Sequence, residues 1–439
     1  MKLTNAKIDS NKIKDEDKAF HDWFRFVLSF PPHLVREYLD KFKADSGSTV
    51  LDPFCGTGTT LVECKKLGVN SVGIEANPFA YFASKTKLGW DIDESELKDH
   101  SRLIASHALR QLERDGISDE SDLPLFTDRS ADQFMLRTLP DDKARMLLKD
   151  SISPVPLHKT LVLLETLEKN KIPAYYEHQR LALAKALVFK ISNLHFGPEV
   201  GVKKTKRENC PVISVWLQCI NDMVADIRNK RSDPNIEANV FLGDAREPAK
   251  ILKPNSIDAV ITSPPYPNEK DYSRTTRLEL TLLDFLANKD DLRNFKKTLV
   301  RSNTRGVYKD DDDDRFVRDF PQINKIAEDI ESKRKELGKT SGFERLYSRV
   351  TKLYFGGMAR HFESLRTSLK PGAMLAYVVG DQSSYLRIMI KTGELLQDIA
   401  RTYSYEVIGS ELFRNRLSTS TRSYLREEVI LLRWNGHKK

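Results

Sequence analysis

Residues 49–75 read TVLDPFCGTGTTLVECKKLGVNSVGIE. Thr49-Val50-Leu51 is a short β-prone run that ends at Asp52-Pro53. A glycine loop follows. Gly56 and Gly58 lack a Cβ, so the backbone can turn tightly there and approach a ligand closely. A helix is expected from about Thr59 to Leu67, carrying Leu61, Val62, Cys64 and Leu67, with Gly68 stopping it. Ser71 to Ile74 reads as a second strand, ending at Glu75. Strand, glycine loop, helix and strand with an acidic end make one βαβ unit, which requires a parallel sheet.

Upstream, HDWFRFVLSFPPHLVREYLDKF (residues 21–42) is aromatic and amphipathic. After Pro31-Pro32 it reads as a helix with Leu34, Val35, Tyr38, Leu39 and Phe42 on one face. Downstream, residues 90–235 read mostly as helices, around 157–167, 175–194 and 212–227, with a Gly/Lys loop from Phe196 to Pro211. Strands resume at Val240-Phe241-Leu242, ending in Gly243-Asp244, and at Ile257 to Ile261, running into Thr262-Ser263-Pro264-Pro265-Tyr266. A second irregular stretch covers about 267–350. It contains Asp310 to Asp314, read as a solvated loop because metal ligands converge from spaced positions. A helix from about Leu353 to Leu369 and three strands follow: 374–379, 406–410 and 428–433. Arg414 to Arg426 is expected to join the last two as an antiparallel hairpin. Alternating short strands and helices indicate a doubly wound sheet.

The chain has 439 residues, a soft prior of about three domains. Its 40% hydrophobic and 31% charged residues suit a polar-surfaced globular protein. Four cysteines without CxxC spacing argue against a disulfide scaffold and structural zinc. They favour a reduced, cytoplasmic compartment. No apolar run reaches the roughly 18–20 residues of a membrane span, and the polar start is no secretory signal. The net charge of +8 leans toward a polyanionic partner without naming one.

Four constellations carry chemistry. In the first, residues Asp52, Pro53, Phe54, Cys55, Gly56, Thr57, Gly58, Thr59 and Thr60, a helix N-terminus faces whatever binds the loop. No Lys follows Gly58, so this is no phosphate-binding loop, and it is not GxGxxG. The second is Glu75-Ala76, 23 residues after Asp52. An acid there can accept both hydroxyls of a ribose. The third is Asp244-Ala245, where a carboxylate could accept from an adenine amine. The fourth is Ser263, Pro264, Pro265 and Tyr266. Two prolines fix the backbone and remove donors. Carbonyls and a hydroxyl remain as acceptors, and Tyr266 adds a flat face, which suits a planar base bearing an NH2. Alone, each also fits an ordinary turn or cap; together they are far more specific.

This set resembles the S-adenosylmethionine-dependent DNA amino-methyltransferases, specifically the cytosine-N4 type. DPFCGTGTT resembles their cofactor loop, and TSPPY their catalytic loop. WFRFVLSFPPHLVREYLDKF resembles their helix beneath the methionine end of the cofactor, and KPGAMLAYVVGD and REEVILLRW their late strands. The resemblance covers about residues 20–82, 239–266 and 353–434. It implies a Rossmann-like class I methyltransferase fold: α/β, with a doubly wound mixed seven-stranded sheet. The expected division is 1–89 as N-terminal helix and cofactor half, 90–238 as a large helical insertion, and 239–439 as catalytic half with a second insertion at about 267–350.

The chain departs from simpler members in one way. Glu75 and Asp244 lie 169 residues apart, where a minimal crossover unit needs about 30. No recognition domain is expected after the last strand, so one or both insertions must read the DNA.

The resemblance implies direct methyl transfer from S-adenosylmethionine to cytosine N4 after base flipping. Ser263 and the Pro264 carbonyl would accept the two N–H bonds, Tyr266 would stack, and Cys55 would pack without reacting. Double-stranded DNA is the implied partner, with a cognate restriction endonuclease alongside. Backbone-contact candidates are Lys203, Lys204, Lys206 and Arg207, then Arg301 and Arg305, then Arg414, Arg416 and Arg422. Adenine-N6 transfer, RNA guanine-N2 transfer and a non-catalytic DNA-binding subunit stand as alternatives.

Overall fold

A computed structural model describes residues 13–26, 29–120, 135–196, 199–229, 236–268, 270–383, 385–417 and 424–436. Nine strands are present among them: β1 (Thr49–Asp52), β2 (Asn70–Glu75), β3 (Leu194–Phe196), β4 (Val200–Val202), β5 (Ala238–Leu242), β6 (Ile257–Thr262), β7 (Leu369–Gly380), β8 (Tyr405–Leu417) and β9 (Tyr424–Trp434). Seven form one sheet in the order β5-β2-β1-β6-β7-β9-β8. Neighbours are parallel except at β9, which runs antiparallel to both β7 and β8. This is a Rossmann-like α/β methyltransferase fold.

The sheet's apolar runs are continuous because both faces are covered. Val50, Ala259, Ile261, Ala376 and Val378 face one side, packed with α1 (Pro32–Lys41) through Leu34, Val35, Tyr38 and Leu39. Leu51, Val260, Leu375 and Tyr377 face the other, against the helices Tyr347–Leu365 and Thr392–Thr402. Successive strand residues point to opposite faces, so each short run feeds two cores. From β1 the chain winds outward through α2 (Thr59–Lys66) to β2 and β5, then returns to β6 on the other flank of β1. Strand order reverses there and opens a crevice beyond the carboxyl ends of β1 and β6.

Among the described residues of 90–238 helices predominate, including Glu94–Arg114, Pro154–Lys169, Pro173–Ala186 and Val212–Arg228. Their core is continuous with Phe20, Trp23, Phe79 and Phe82 and with Leu278 to Leu286. The long helix stops at Ala186 and widens into a π-helical turn over Leu187–Ile191. The Gly/Lys loop is corrected: it begins with the β3–β4 hairpin. Three-residue strands carry too little period-2 pattern to be read from sequence.

The acid run is also corrected. Asp310 and Asp312 are exposed, but Asp313 is only 2% exposed and ion-paired to Arg246 and Arg360. A charge run reads as solvated only until buried arginines from distant segments meet it. No helix among the described residues is long and apolar enough to cross a membrane.

Candidate active site at the strand-order reversal

A cavity of about 430 Å³ occupies the crevice. Its size suits a small-molecule ligand with a base beside it. Pro53, Phe54, Cys55, Gly56 and Thr59 line it from the glycine loop, and Glu75, Ala76 and Ala245 from neighbouring strand ends. Ser263, Pro264, Pro265 and Tyr266 line it from the catalytic loop. Elements far apart in sequence thus meet at one pocket.

Five of the expected cofactor residues stand behind this lining. Asp52 is fully buried. Its Oδ2 accepts from Thr60 Oγ1 at 2.7 Å, and its Oδ1 from Thr262 Oγ1 at 2.6 Å and the Phe54 N–H at 3.1 Å. Burial lifts its carboxyl to about 6, against the pull of those donors. Asp52 and Thr60 therefore brace the loop. Thr57 offers its carbonyl to buried Lys87 Nζ at 2.6 Å, and Lys87 also holds the Phe24 carbonyl at 3.2 Å. Gly58 has φ +81°, and a Cβ there would lie 2.4 Å from Ser84 Oγ. Only glycine meets both conditions at the start of α2. The Asp244 carboxylate is taken by the Arg246 fork, with Nη2 at 2.5 Å and Nε at 3.0 Å. Asp244 thus holds its own turn, with Ala245 beside it on the cavity wall.

Glu75 is oriented by two backbone donors: Gly56 N–H to Oε2 and Asn77 N–H to Oε1, each 2.7 Å. A carboxylate has about four lone-pair sites, so acceptor capacity remains toward the cavity. Burial raises Glu75 to about 7, opposed by those N–H groups. His361 holds the opposite wall: Nδ1 lies 2.6 Å from the Ala245 carbonyl and Nε2 2.7 Å from the Tyr377 hydroxyl. Burial drops its pKa to about 4, so it is a neutral ring that donates to Ala245 and accepts from Tyr377. Its ring centroid is 5.2 Å from that of Phe54.

Ser263 Oγ donates to the Val378 carbonyl at 3.1 Å. That spends its proton on the protein and leaves its lone pairs for an incoming donor. Burial pushes the Tyr266 phenol far up, with the Glu427 charge adding, so it stays neutral. Gly380 makes room for the ring: a Cβ there would lie 3.0 Å from Tyr266 Cε2. Cys55 is buried, and burial raises its thiol well above the usual range, which leaves it inert.

The second insertion supplies a further wall, including Lys270, Tyr272, Lys296, Val300 and Asn303, while Phe26, Ser29 and Phe30 line the cavity ahead of α1 and Phe413 and Glu427 from the late strands. Among the described residues of the helical insertion, Phe196, Glu199 and Val200, in and beside the hairpin, reach the cavity. Lys270 and Asn303 are not legible in the sequence because nothing local marks them. Asn77 could have been found as a helix cap, since its side chain accepts from the Phe79 and Ala80 N–H groups.

The backbone-contact candidates separate. Lys204 is exposed, whereas Arg207 donates to the Lys190 and Ser192 carbonyls. Lys206 bonds the Lys203 carbonyl at 2.8 Å. Arg301 is 3% exposed and bound to Asp311, so it is structural and not free for phosphate. Arg305 is exposed, 4.0 Å from Glu199. Arg414 and Arg416 lie on β8 and not in a connecting loop; both line the cavity and pair with Glu427. Arg422 lies outside the described residues.

Fold and site together define a methyltransferase whose methyl donor is S-adenosylmethionine. The cavity, the glycine loop and the backbone-oriented Glu75 carboxylate fit that cofactor. The comparisons narrow the class. A family model described as DNA methylase matches residues 5–85. The type II methyltransferase M.BsoBI of Geobacillus stearothermophilus is 24% identical over 457 aligned positions, covering 98% of this chain and 87% of that one. The type II methyltransferase M.AvaI of Anabaena variabilis is 25% identical, covering 90% and 80%. A shorter match, 40% identical over 75 residues, covers 17% of this chain and 14% of the type II methyltransferase M.MjaII of Methanocaldococcus jannaschii. These matches support a DNA methyltransferase.

Proposed function

We propose that the protein methylates the N4 amino group of cytosine at a specific site in duplex DNA. The observation that carries this reading is the Ser263 hydroxyl, which donates to Val378 and so faces the cavity as an acceptor. A cytosine amine is a weak nucleophile because its lone pair is delocalised into the ring. Two acceptors on its N–H bonds, Ser263 Oγ and the Pro264 carbonyl, localise that pair toward the methyl donor. S-adenosylmethionine supplies the methyl group from its sulfonium. Glu75 binds the ribose hydroxyls, the Gly56–Thr59 loop takes the remainder of the cofactor, and Tyr266 holds the base by its face. Positioning and fixed dipoles provide the acceleration. The base leaves the duplex to enter the pocket.

The second insertion is the better candidate for the DNA-reading wall, since Asn268, Lys270 and Tyr272, next in sequence to the catalytic loop, line the cavity beside it. Lys204 and Arg305, both exposed, are candidates for phosphate contact. The similarity to type II methyltransferases supports service in restriction–modification, for which a cognate endonuclease acting at the same DNA site is the proposed partner.

The test is incubation with labelled S-adenosylmethionine and duplex DNA, with the modified nucleoside identified by mass spectrometry. N4-methylcytosine is expected. N6-methyladenine, label in RNA alone, or cofactor binding without transfer to any nucleic acid would overturn the assignment.

A further inference from the structure

We propose that Asp313, in the middle of the acid run, is a positioning residue that latches the second insertion onto the cofactor end of the cavity and thereby sets affinity for S-adenosylmethionine. The inference rests on the cavity being that cofactor's site.

Asp313 meets two guanidinium groups. Its Oδ2 lies 2.6 Å from Arg246 Nη1, and its Oδ1 3.1 Å from Arg360 Nη1. Arg246 is only 7% exposed and spends the rest of its fork nearby: Nη2 and Nε on Asp244, and Nη2 also on the Lys297 carbonyl at 2.8 Å. Arg360 reaches Glu247 with its other nitrogen. One cluster of alternating charge, buried at Arg246 and Asp313 and half-buried at Asp244, Glu247 and Arg360, therefore joins the turn after β5, the helix Tyr347–Leu365 and the second insertion. Ala245, which lines the cavity, sits between Asp244 and Arg246 in that turn.

Backbone shape keeps this contact close. A Cβ on Gly356 would lie 1.9 Å from the Asp313 carbonyl oxygen and 3.0 Å from the Asp314 nitrogen. At Gly357 a Cβ would meet Arg246 Cδ and Asp313 Oδ2, both at 3.5 Å. The glycine pair gives the acid run a seat against the helix. The same insertion then places Val300 and Asn303 on the cavity wall. Removing Asp313's charge leaves Arg246 and Arg360 short of a partner in a buried setting, which is costly. The turn carrying Ala245 and the wall carrying Val300 lose their common tie.

Asp313→Asn keeps the shape and removes the charge; Asp312→Asn, at an exposed acid of the same run, is the control. Cofactor affinity is measured by calorimetry without DNA, and local motion by hydrogen exchange. Asp313→Asn is expected to weaken cofactor binding at least tenfold and to speed exchange at 243–247 and 297–316. Its KM for cofactor should rise at least tenfold, with kcat and the KM for DNA within threefold. The control should match the wild type. A folded Asp313→Asn variant with wild-type cofactor affinity would overturn the latch, as would equal losses in cofactor and DNA binding. Gly356→Ala should reproduce the affinity loss with every charge intact. Should the wild type itself fail to bind the cofactor, the reading of the cavity fails before the latch is reached.

Discussion

Thr262 Oγ1, at the end of β6, donates to Asp52 Oδ1, at the end of β1, across 2.6 Å. The bond ties the strand end that opens the glycine loop to the one that opens the catalytic loop. Thr262→Val keeps the branched shape and removes the donor. It leaves a buried carboxylate oxygen underserved, so a loss of about 1–3 kcal/mol is expected in urea unfolding. An unchanged midpoint would show that the Phe54 N–H alone satisfies Asp52 Oδ1, with Thr60 on Oδ2.

Ser263→Ala removes an acceptor from the base side while leaving the cofactor wall intact. A fall in kcat of about 10²–10³-fold is expected, the scale for losing one oriented hydrogen-bonding group in a catalytic site. Cofactor affinity should stay within twofold. Tyr266→Ala should behave alike. Full activity in that variant would remove the stacking role.

If Glu75 holds the ribose as proposed, cofactor binding is expected to depend on pH. Its carboxyl sits at about 7 because burial disfavours the charge, and the ionised form is the one that accepts from ribose. Affinity is therefore highest above pH 7 and falls as pH drops through that value, up to tenfold per unit. Glu75→Gln should bind at least tenfold more weakly at pH 8 and lose the pH dependence. Titration calorimetry from pH 6 to 8.5 measures both. A steep pH dependence that persists in the variant would assign it to another group.

His361 and His21 place an acid limit on stability. Burial holds each at about 4 in the folded chain, against 6.5 unfolded. Both are depressed bases, so the unfolded chain binds protons that the folded one refuses. The stability they contribute is present above pH 6.5 and is lost as pH falls toward 4. At pH 5 the loss is about 2 kcal/mol for each. The raised carboxyls of Asp52 and Glu75 act in the opposite direction over this window, so the readout is the difference between variant and wild type: His361→Gln should remove a loss of about 2 kcal/mol from the change in unfolding free energy between pH 7 and 5. Should the full slope remain, His361 is not held neutral.

Much of the site was legible in the sequence because its loops are local. Gly56, Gly58 and Glu75 sit within one βαβ unit, and Ser263 to Tyr266 follow directly on a strand. The bracing was not legible. Asp52 reads as a ligand in sequence, yet two hydroxyls occupy it, Thr60 from its own loop and Thr262 from 210 positions away. Lys87 looks like a solvated helix lysine until burial turns it onto Thr57. Arg301 looks like a phosphate contact until Asp311 closes on it.

The net charge of +8 pointed to a polyanion, and local chemistry set which strands, turns and loops the chain would form. Glycine freedom, proline rigidity and apolar periodicity act within a few residues, so they are present in the sequence itself. Which charges face solvent and which are spent inside was decided only in three dimensions. A carboxylate and a guanidinium interact strongly only when folding removes them from water together. That is why Asp313, one of five acids in a row, became a buried partner of Arg246 while Asp310 and Asp312 stayed at the surface.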